Sequence, residues 1–308
     1  MKLEDYSVET SVYNLSEEYY IERAEAEEYA IYLLTYGDRE RNKYAVKDWD
    51  MTAAFYTRYL KDIFWIKEKD KRVGGVSIKP NLIAEYFTIP PFEETFSVLK
   101  LLKELLIHWS DCEKDVITYG IYPEMVENYL RLGFRRKEAR QWMIRPTENY
   151  AVQWEDDFTV VIPEKHMEQE LGKLYYEAHF GGIEDDGSGI EKNIENTKYY
   201  FENKFDCEIA RKASTVVFDN NTKELIGACL IAIYEGWPLI FDLGVKPGYQ
   251  GKGIAEKMIK QALTVLKEEY RLLVLYVTLG NNAQQLYHKL GFAQGTKYEE
   301  LYIPKSIG

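Results

Sequence analysis

Apolar and polar positions follow two rhythms along this chain, and the order of those rhythms occurs twice. Between residues 253 and 268, apolar side chains fall at Ile254, Met258, Ile259, Ala262, Leu263 and Leu266. Steps of three and four keep them on one face, which predicts a helix with one buried side. Shorter apolar runs at 158–162, 214–218, 224–234, 238–245 and 272–278 predict strands, with an Asp-Asn-Asn-Thr turn between the second and third. Helical stretches are expected at 164–179 and 191–204, on either side of a loop rich in glycine and acids from Gly181 to Gly189. A short helix over 283–290 and a final strand pair complete this half.

The first half shows the same order. Strands are expected at 63–67, 72–78 and 82–89, a helix at 93–109, a strand at 116–120 and a short helix near 124–132. Tyr129-Leu130-Arg131-Leu132-Gly133-Phe134 parallels Tyr287-His288-Lys289-Leu290-Gly291-Phe292 at an offset of 158 residues. Gly75 matches Gly227 at 152 and Pro91 matches Pro247 at 156. Both halves close on an isoleucine and a nearby proline, Ile144-Arg145-Pro146 and Ile303-Pro304. Three landmarks in the same order predict a duplicated fold of two domains, 1–150 and 151–308, with a linker near 147–156.

Composition narrows the function. The chain carries 51 acids against 39 bases, a formal net charge of −12. Each half is acidic by itself, with 27 acids and 22 bases up to residue 150 and 24 and 17 beyond it. Phosphate backbones are gripped by clustered Lys and Arg, so nucleic acid is not an expected partner. The apolar runs are strand-sized, and no membrane span is expected. The start, Met1-Lys2-Leu3-Glu4-Asp5, has neither the basic opening nor the apolar run of a secretory leader, so the expected location is cytoplasmic. Cys112, Cys207 and Cys229 are far apart and form no CxxC, and the four histidines lack ligand spacing, so no metal site is expected.

Candidate chemistry gathers at Gln250-Gly251-Lys252-Gly253-Ile254-Ala255, which follows a predicted strand and opens the long helix. The first turn of a helix leaves N–H groups unpaired, and these suit an anion. Glycine lets the backbone adopt the turn and come close to a phosphate. A P-loop needs Lys-Ser/Thr after its last glycine, but Ile254-Ala255 stands there. A dinucleotide fingerprint needs Gly or Ala three residues after the second glycine, where this chain has Glu256. What remains is Gln/Arg-x-x-Gly-x-Gly/Ala.

Val245-Lys246-Pro247-Gly248-Tyr249-Gln250-Gly251-Lys252-Gly253-Ile254-Ala255 resembles the acetyl-CoA motif of the GNAT superfamily of N-acetyltransferases. Asn282-Ala283-Gln284-Gln285-Leu286-Tyr287-His288-Lys289-Leu290-Gly291-Phe292 resembles its other hallmark at the usual distance downstream. The resemblance covers most of 155–305. It implies an α/β (α+β) fold of two GNAT-like domains, each a mixed, mostly antiparallel sheet flanked by helices. It also implies an N-acetyltransferase that uses acetyl-CoA as donor and a primary amine as acceptor, by direct attack in a ternary complex.

By the same resemblance, Leu243 and Val245 give backbone contacts to the pantetheine arm. Gly251, Gly253, Ile254 and Ala255 face the pyrophosphate, with Gln250 and Lys252 at the edge of the cradle. Tyr287 matches the general acid. Direct transfer also needs a base; Asp242, on the strand facing the acyl group, is one candidate. The other is Glu235, which otherwise reads as a solvated turn residue. Family members carry an asparagine seven residues before the tyrosine, where this chain has Gly280, so Asn281 or Asn282 is the expected substitute. Glu184-Asp185-Asp186, where the family builds its acceptor wall, suit a cationic amine or simply solvate a loop.

The first half has Ile89-Pro90-Pro91-Phe92-Glu93-Glu94-Thr95 at the equivalent junction, without glycine and with acids where a pyrophosphate would sit. It is expected to bind no CoA. Its role would be to complete an acceptor cleft or to imitate a dimer partner, so a monomer or a homodimer is expected. A sensor of acyl-CoA without turnover is the competing reading, and retained Tyr287 and Asp242 favour catalysis over it.

Overall fold

A computed structural model describes residues 3–37, 49–185 and 187–305. The chain divides into two compact units, Met1–Arg140 with Thr296–Gly308, and Gln141–Gly295. Among the described residues, no helix is long and apolar enough to cross a membrane, and no group of three His, Cys, Asp or Glu could hold a metal ion.

The first unit opens with elements that the periodicity did not single out: β1 (Val12–Asn14), β2 (Tyr19–Arg23), α1 (Ala26–Tyr32) and α2 (Trp49–Tyr59). Then follow β3 (Ile63–Glu68), β4 (Lys71–Lys79), β5 (Leu82–Thr88), α3 (Thr95–Trp109), β6 (Val116–Ile121) and α4 (Pro123–Arg131). β1 to β5 form an antiparallel ladder, and β5 meets β6 in parallel at Leu82 and Ile117.

Two strands straddle the division between the units. β7 (Arg135–Pro146) belongs to the first unit up to Arg140 and to the second from Gln141. A single strand over Ala293–Ile303, β13, replaces the expected final strand pair. Its residues from Thr296 belong to the first unit, where they pair antiparallel with β6, Leu301 against Thr118 and Ile303 against Val116. The stretch expected to be a linker, 147–156, packs on the second unit. Tyr150 N–H donates to Thr264 Oγ1 at 2.9 Å, and Trp154 Nε1–H to Gln261 Oε1 at 3.0 Å.

The second unit continues with β8 (Phe158–Val161), α5 (Glu168–His179), α6 (Gly189–Asn203) and α7 (Glu208–Ala213), a one-and-a-half-turn helix too short for its period to stand out. Next come β9 (Thr215–Asp219), β10 (Leu225–Tyr234), β11 (Trp237–Val245), α8 (Ile254–Leu266), β12 (Leu272–Thr278) and α9 (Ala283–Lys289). β8 to β11 are antiparallel, and β11 meets β12 in parallel at Leu239 and Val274. The two parallel crossings repeat at one offset, 82 to 239 and 117 to 274, so the duplication extends to strand register.

Helices cover both faces of this sheet. α5 and α6 pack over Val216, Ala228, Leu230 and Ala232. α8 covers the other face with the six residues named from its period, all at most 2% exposed. Each large apolar side chain so buried contributes about 1.5–3 kcal/mol relative to exposure. Two glycines permit closer approaches. A Cβ on Gly172 would sit 2.6 Å from Ile194 Cα, and one on Gly244 would sit 2.8 Å from Tyr175 Cδ1. α5 can lie this close to β11 because Gly244 has no side chain.

Candidate functional site

β10 and β11 are joined by a two-residue turn, Glu235 and Gly236, both with positive φ of 50° and 80°. This is the hairpin geometry whose twist matches the strands it joins. Further along, Leu230 pairs with Asp242 but Ile231 pairs with Ile240, so Phe241 is an extra residue in β11. Such a bulge bends the strand and releases backbone groups from the ladder.

Beyond the bulge the direction of each backbone group follows from one bond. Lys246 N–H donates to the Ile226 carbonyl at 2.8 Å, so by alternation Gly244 and Asp242 also face β10. Leu243 and Val245 therefore turn their N–H and C=O groups to the other side, towards β12. β12 meets β11 at a single register position, Leu239 to Val274, and pairs with neither residue. Two protein side chains answer those groups instead. Asp242 Oδ1 accepts the Leu243 N–H at 2.9 Å, and Gln250 Nε2 donates to the Val245 carbonyl at 3.0 Å.

The cradle follows directly. Gly251 has φ +75°, and Gly253, the residue capping α8, has φ +80°. L-residues resist these values. A Cβ on Gly248, Gly251 or Gly253 would meet nothing within 4 Å, so the backbone here lies open on its outer side. The first bond into α8 runs from Lys257 N–H to the Gly253 carbonyl at 3.0 Å, which leaves the N–H groups of the preceding turn for an anion. Tyr249 props the loop by donating its hydroxyl to Asp219 Oδ2 at 2.8 Å, and Lys252 Nζ stands 4.7 Å from the Tyr249 ring centroid.

Tyr287, on α9, is 7% exposed and packs edge-on against Phe292. Its hydroxyl has no hydrogen-bond partner among the described residues. Burial, then Cys229, Asp242 and Glu184, push its pKa well above the ordinary value. It is therefore a neutral phenol able to give a proton. Arg145, at the end of β7, holds the helix that carries it. The guanidinium donates to the Leu290 carbonyl at the C-terminus of α9, to Tyr150 Oη and to Glu148 Oε2. A cation at that helix end also meets the negative pole of the dipole.

Asp242 keeps 25% of its side-chain surface yet lies deep enough for burial to raise its pKa to about 6, against the lowering influence of His179 and the Leu243 N–H. Glu235 proves different from the solvated turn residue expected. It is 3% exposed and has partners of its own. It stands at the hairpin tip, before β11 begins at Trp237, and Asp242 lies five residues further along that strand, roughly 17 Å on. The charged groups acting on Asp242 are His179 and Glu184, and Tyr287 feels Cys229, Asp242 and Glu184.

The two asparagines also separate. Gly280 has φ +93°, a reason for glycine at that position. Asn281 Nδ2 donates to Glu184 Oε1 at 2.8 Å and its Oδ1 accepts the Ala283 N–H, so this side chain is committed within the protein. Asn282 caps α9 through its backbone position, without a side-chain bond. Glu184 also accepts from Thr278 Oγ1 at 3.0 Å, and Asp185 accepts the N–H groups of Gly181 and Gly187. Two of the three loop acids therefore hold the loop itself, and Asp186 lies outside the described residues.

Sequence reasoning missed His179, and named Glu184 only as one of three loop acids. His179 ends α5 with Nε2 3.8 Å from Asp242 Oδ1 and 3.4 Å from the Leu243 carbonyl. The available signal was Gly244, a strand glycine away from any turn, which marks close approach of another element.

A family model described as the acetyltransferase (GNAT) family matches residues 171–292. Among solved structures, a GCN5-related N-acetyltransferase from Sphaerobacter thermophilus is similar at a TM-score of 0.69 and 16% identity, over 96% of this chain and 98% of that one. A tandem GNAT protein from the clavulanic acid biosynthesis pathway gives 0.62 and 12%, over 94% and 100%. A GNAT-family acetyltransferase from Colwellia psychrerythraea gives 0.57 and 12%, over 94% and 100%. At these identities the likeness speaks for the fold. Among curated proteins the sequence finds no match.

Proposed function

We propose that the protein, whose residues 171–292 match the acetyltransferase (GNAT) family model, transfers an acetyl group from acetyl-CoA to a primary amine by direct attack in a ternary complex. One observation carries this reading. The free first turn of α8, with two glycines in left-handed conformation, continues directly from a strand whose Leu243 and Val245 backbone groups face away from their ladder.

The donor supplies an activated acetyl thioester. Its pyrophosphate fits the N–H groups of Gly251, Gly253, Ile254 and Ala255, where added side chains would meet no protein atom at the glycines. Gln250 and Lys252 stand at the edge of that cradle. The Val245 N–H is open to an added extended segment, and the Leu243 N–H and Val245 carbonyl, answered here by Asp242 and Gln250, face the same side. Asp242 accepts the proton of the incoming ammonium, and Tyr287, kept neutral by burial, donates one to the departing sulfur. The negative surroundings of Asp242 and Glu184 favour an acceptor that arrives as a cation.

Release of free thiol from acetyl-CoA, followed with a panel of primary amines, tests this. Turnover with at least one amine is expected, together with binding of CoA. Tight CoA binding with no thiol release from any amine would leave a sensor and remove the enzyme.

A further inference from the structure

The two oxygens of Asp242 have different surroundings. Oδ1 accepts the Leu243 N–H at 2.9 Å and faces His179 Nε2 at 3.8 Å, while Oδ2 has no partner among the described residues. The imidazole is fixed from behind. Its ring stacks on Tyr175 with centroids 6.1 Å apart and planes 26° apart, and Nε2 also lies 3.4 Å from the Leu243 carbonyl. Gly244 lets α5 approach closely enough for this, since any side chain there would collide with Tyr175. Both His179 and Asp242 keep 25% of their side-chain surface, so the imidazole touches solvent and carboxylate together. At 3.8 Å a small rotation of either side chain closes a hydrogen bond.

From this geometry we propose that His179 is the proton outlet of Asp242 and returns that carboxylate to its ionised form after each turnover. The inference rests on the acyl-transfer reading above. An ammonium loses two protons in becoming an amide. One is balanced on the sulfur: Tyr287 protonates the departing thiolate, and the phenolate takes a proton from the nitrogen as the tetrahedral intermediate collapses. The other passes from nitrogen to Asp242, breaks from the carboxyl as an imidazole N–H forms, and leaves the imidazolium for water. His179 acts through Asp242 and is a positioning residue in that sense. The groups around Asp242 are His179 and Tyr175 from α5, Glu184 from the loop, Cys229 from β10 and Tyr287 from α9. Of these His179 is the one that can carry positive charge.

The test uses the full chain with His179→Gln, which keeps a donor but cannot titrate, and His179→Ala. Without His179, which lowers its proton affinity, Asp242 binds its proton more tightly, so the acidic limb of kcat/KM should move up by about one pH unit in His179→Gln. kcat at neutral pH should fall about tenfold while CoA affinity by calorimetry stays within twofold. Added imidazole should restore part of the rate to His179→Ala and none to His179→Gln. An unmoved limb, or no response to imidazole in a folded variant that still binds CoA, overturns the proposal. NMR titration of the His179 ring in wild type and in Asp242→Asn gives a readout independent of turnover. The two titrations should differ, and identical curves also overturn it. If wild type binds CoA but turns over no amine while the two ring titrations differ, the contact stands; the acyl-transfer reading then falls, and the outlet role with it.

Discussion

In the first unit β5 hands over to α3 through Ile89-Pro90-Pro91-Phe92-Glu93-Glu94, and in the second β11 hands over to α8 through Lys246-Pro247-Gly248-Tyr249-Gln250-Gly251-Lys252-Gly253. Both strands carry a bulge shortly before the junction, and both meet their parallel neighbour at matching positions. Both short helices carry a buried tyrosine, Tyr129 or Tyr287. The differences are chemical. Exposed Glu93 and Glu94 stand before α3, where the helix dipole favours anions and these carboxylates already occupy the favourable place. Gly251 and Gly253 stand before α8 and leave that place to a ligand. Tyr129 is sealed, with its hydroxyl fully buried, whereas Tyr287 shares its surroundings with Asp242, Glu184 and Cys229. The two units thus share strand register, while the glycine turn before the helix is present in the second alone.

The strongest way to break this comparison is at the glycines. Gly251→Ala with Gly253→Ala places two L-residues in left-handed backbone, at about 1–2 kcal/mol each, so CoA affinity should fall roughly a hundredfold by calorimetry. Wild type should take up one CoA per chain; two would make the first unit a second binder. Next is the tyrosine pair. Tyr287→Phe should lower turnover more than tenfold with CoA affinity within twofold, while Tyr129→Phe should leave turnover unchanged. Equal effects from both would assign the tyrosine to packing.

Asp242→Asn should separate activity from stability. A carboxyl raised from 3.8 to about 6 stabilises the fold fully below its unfolded value, and that contribution is lost as pH rises through about 6. Above that pH wild type bears the cost of a buried charge that asparagine lacks. The variant should therefore melt about 2 °C higher at pH 7.5 and unchanged near pH 4 by calorimetry, while losing most of its turnover. A lower Tm at pH 7.5 would contradict the burial argument. The smallest effect belongs to Glu184→Gln. It loosens the bonds to Thr278 and Asn281, and the acceptor's KM should rise about threefold with donor binding unaffected.

What the sequence made legible was local. The face of α8, the strand before it and the glycines between them are set by residues within one or two turns of each other, and their spacing alone predicted them. The repeat was legible because glycine, proline and the Tyr-x-x-x-Gly-Phe element mark backbone positions that side-chain drift leaves alone. His179 was not legible, because its meeting with Asp242 depends on how α5 lies over β11, a tertiary fact with a single trace in Gly244. Glu235 misled for the opposite reason. A turn with two positive φ values reads as surface, yet packing around the hairpin tip buries it. At Gly280 a left-handed backbone, φ +93°, stands where the family carries its asparagine side chain.

One consequence lies in the order of synthesis. The residues of β13 that pair with β6 belong to the first unit, yet they are made after the whole second unit has been translated. The half that emerges first thus cannot complete its sheet until the second unit has been made. Until then the β6 edge presents unpaired N–H and C=O groups, the kind of edge on which chains associate wrongly. A fragment stopped at residue 150 would keep that open edge permanently. Splitting this chain at its apparent linker would therefore yield a sticky fragment in place of a free-standing domain.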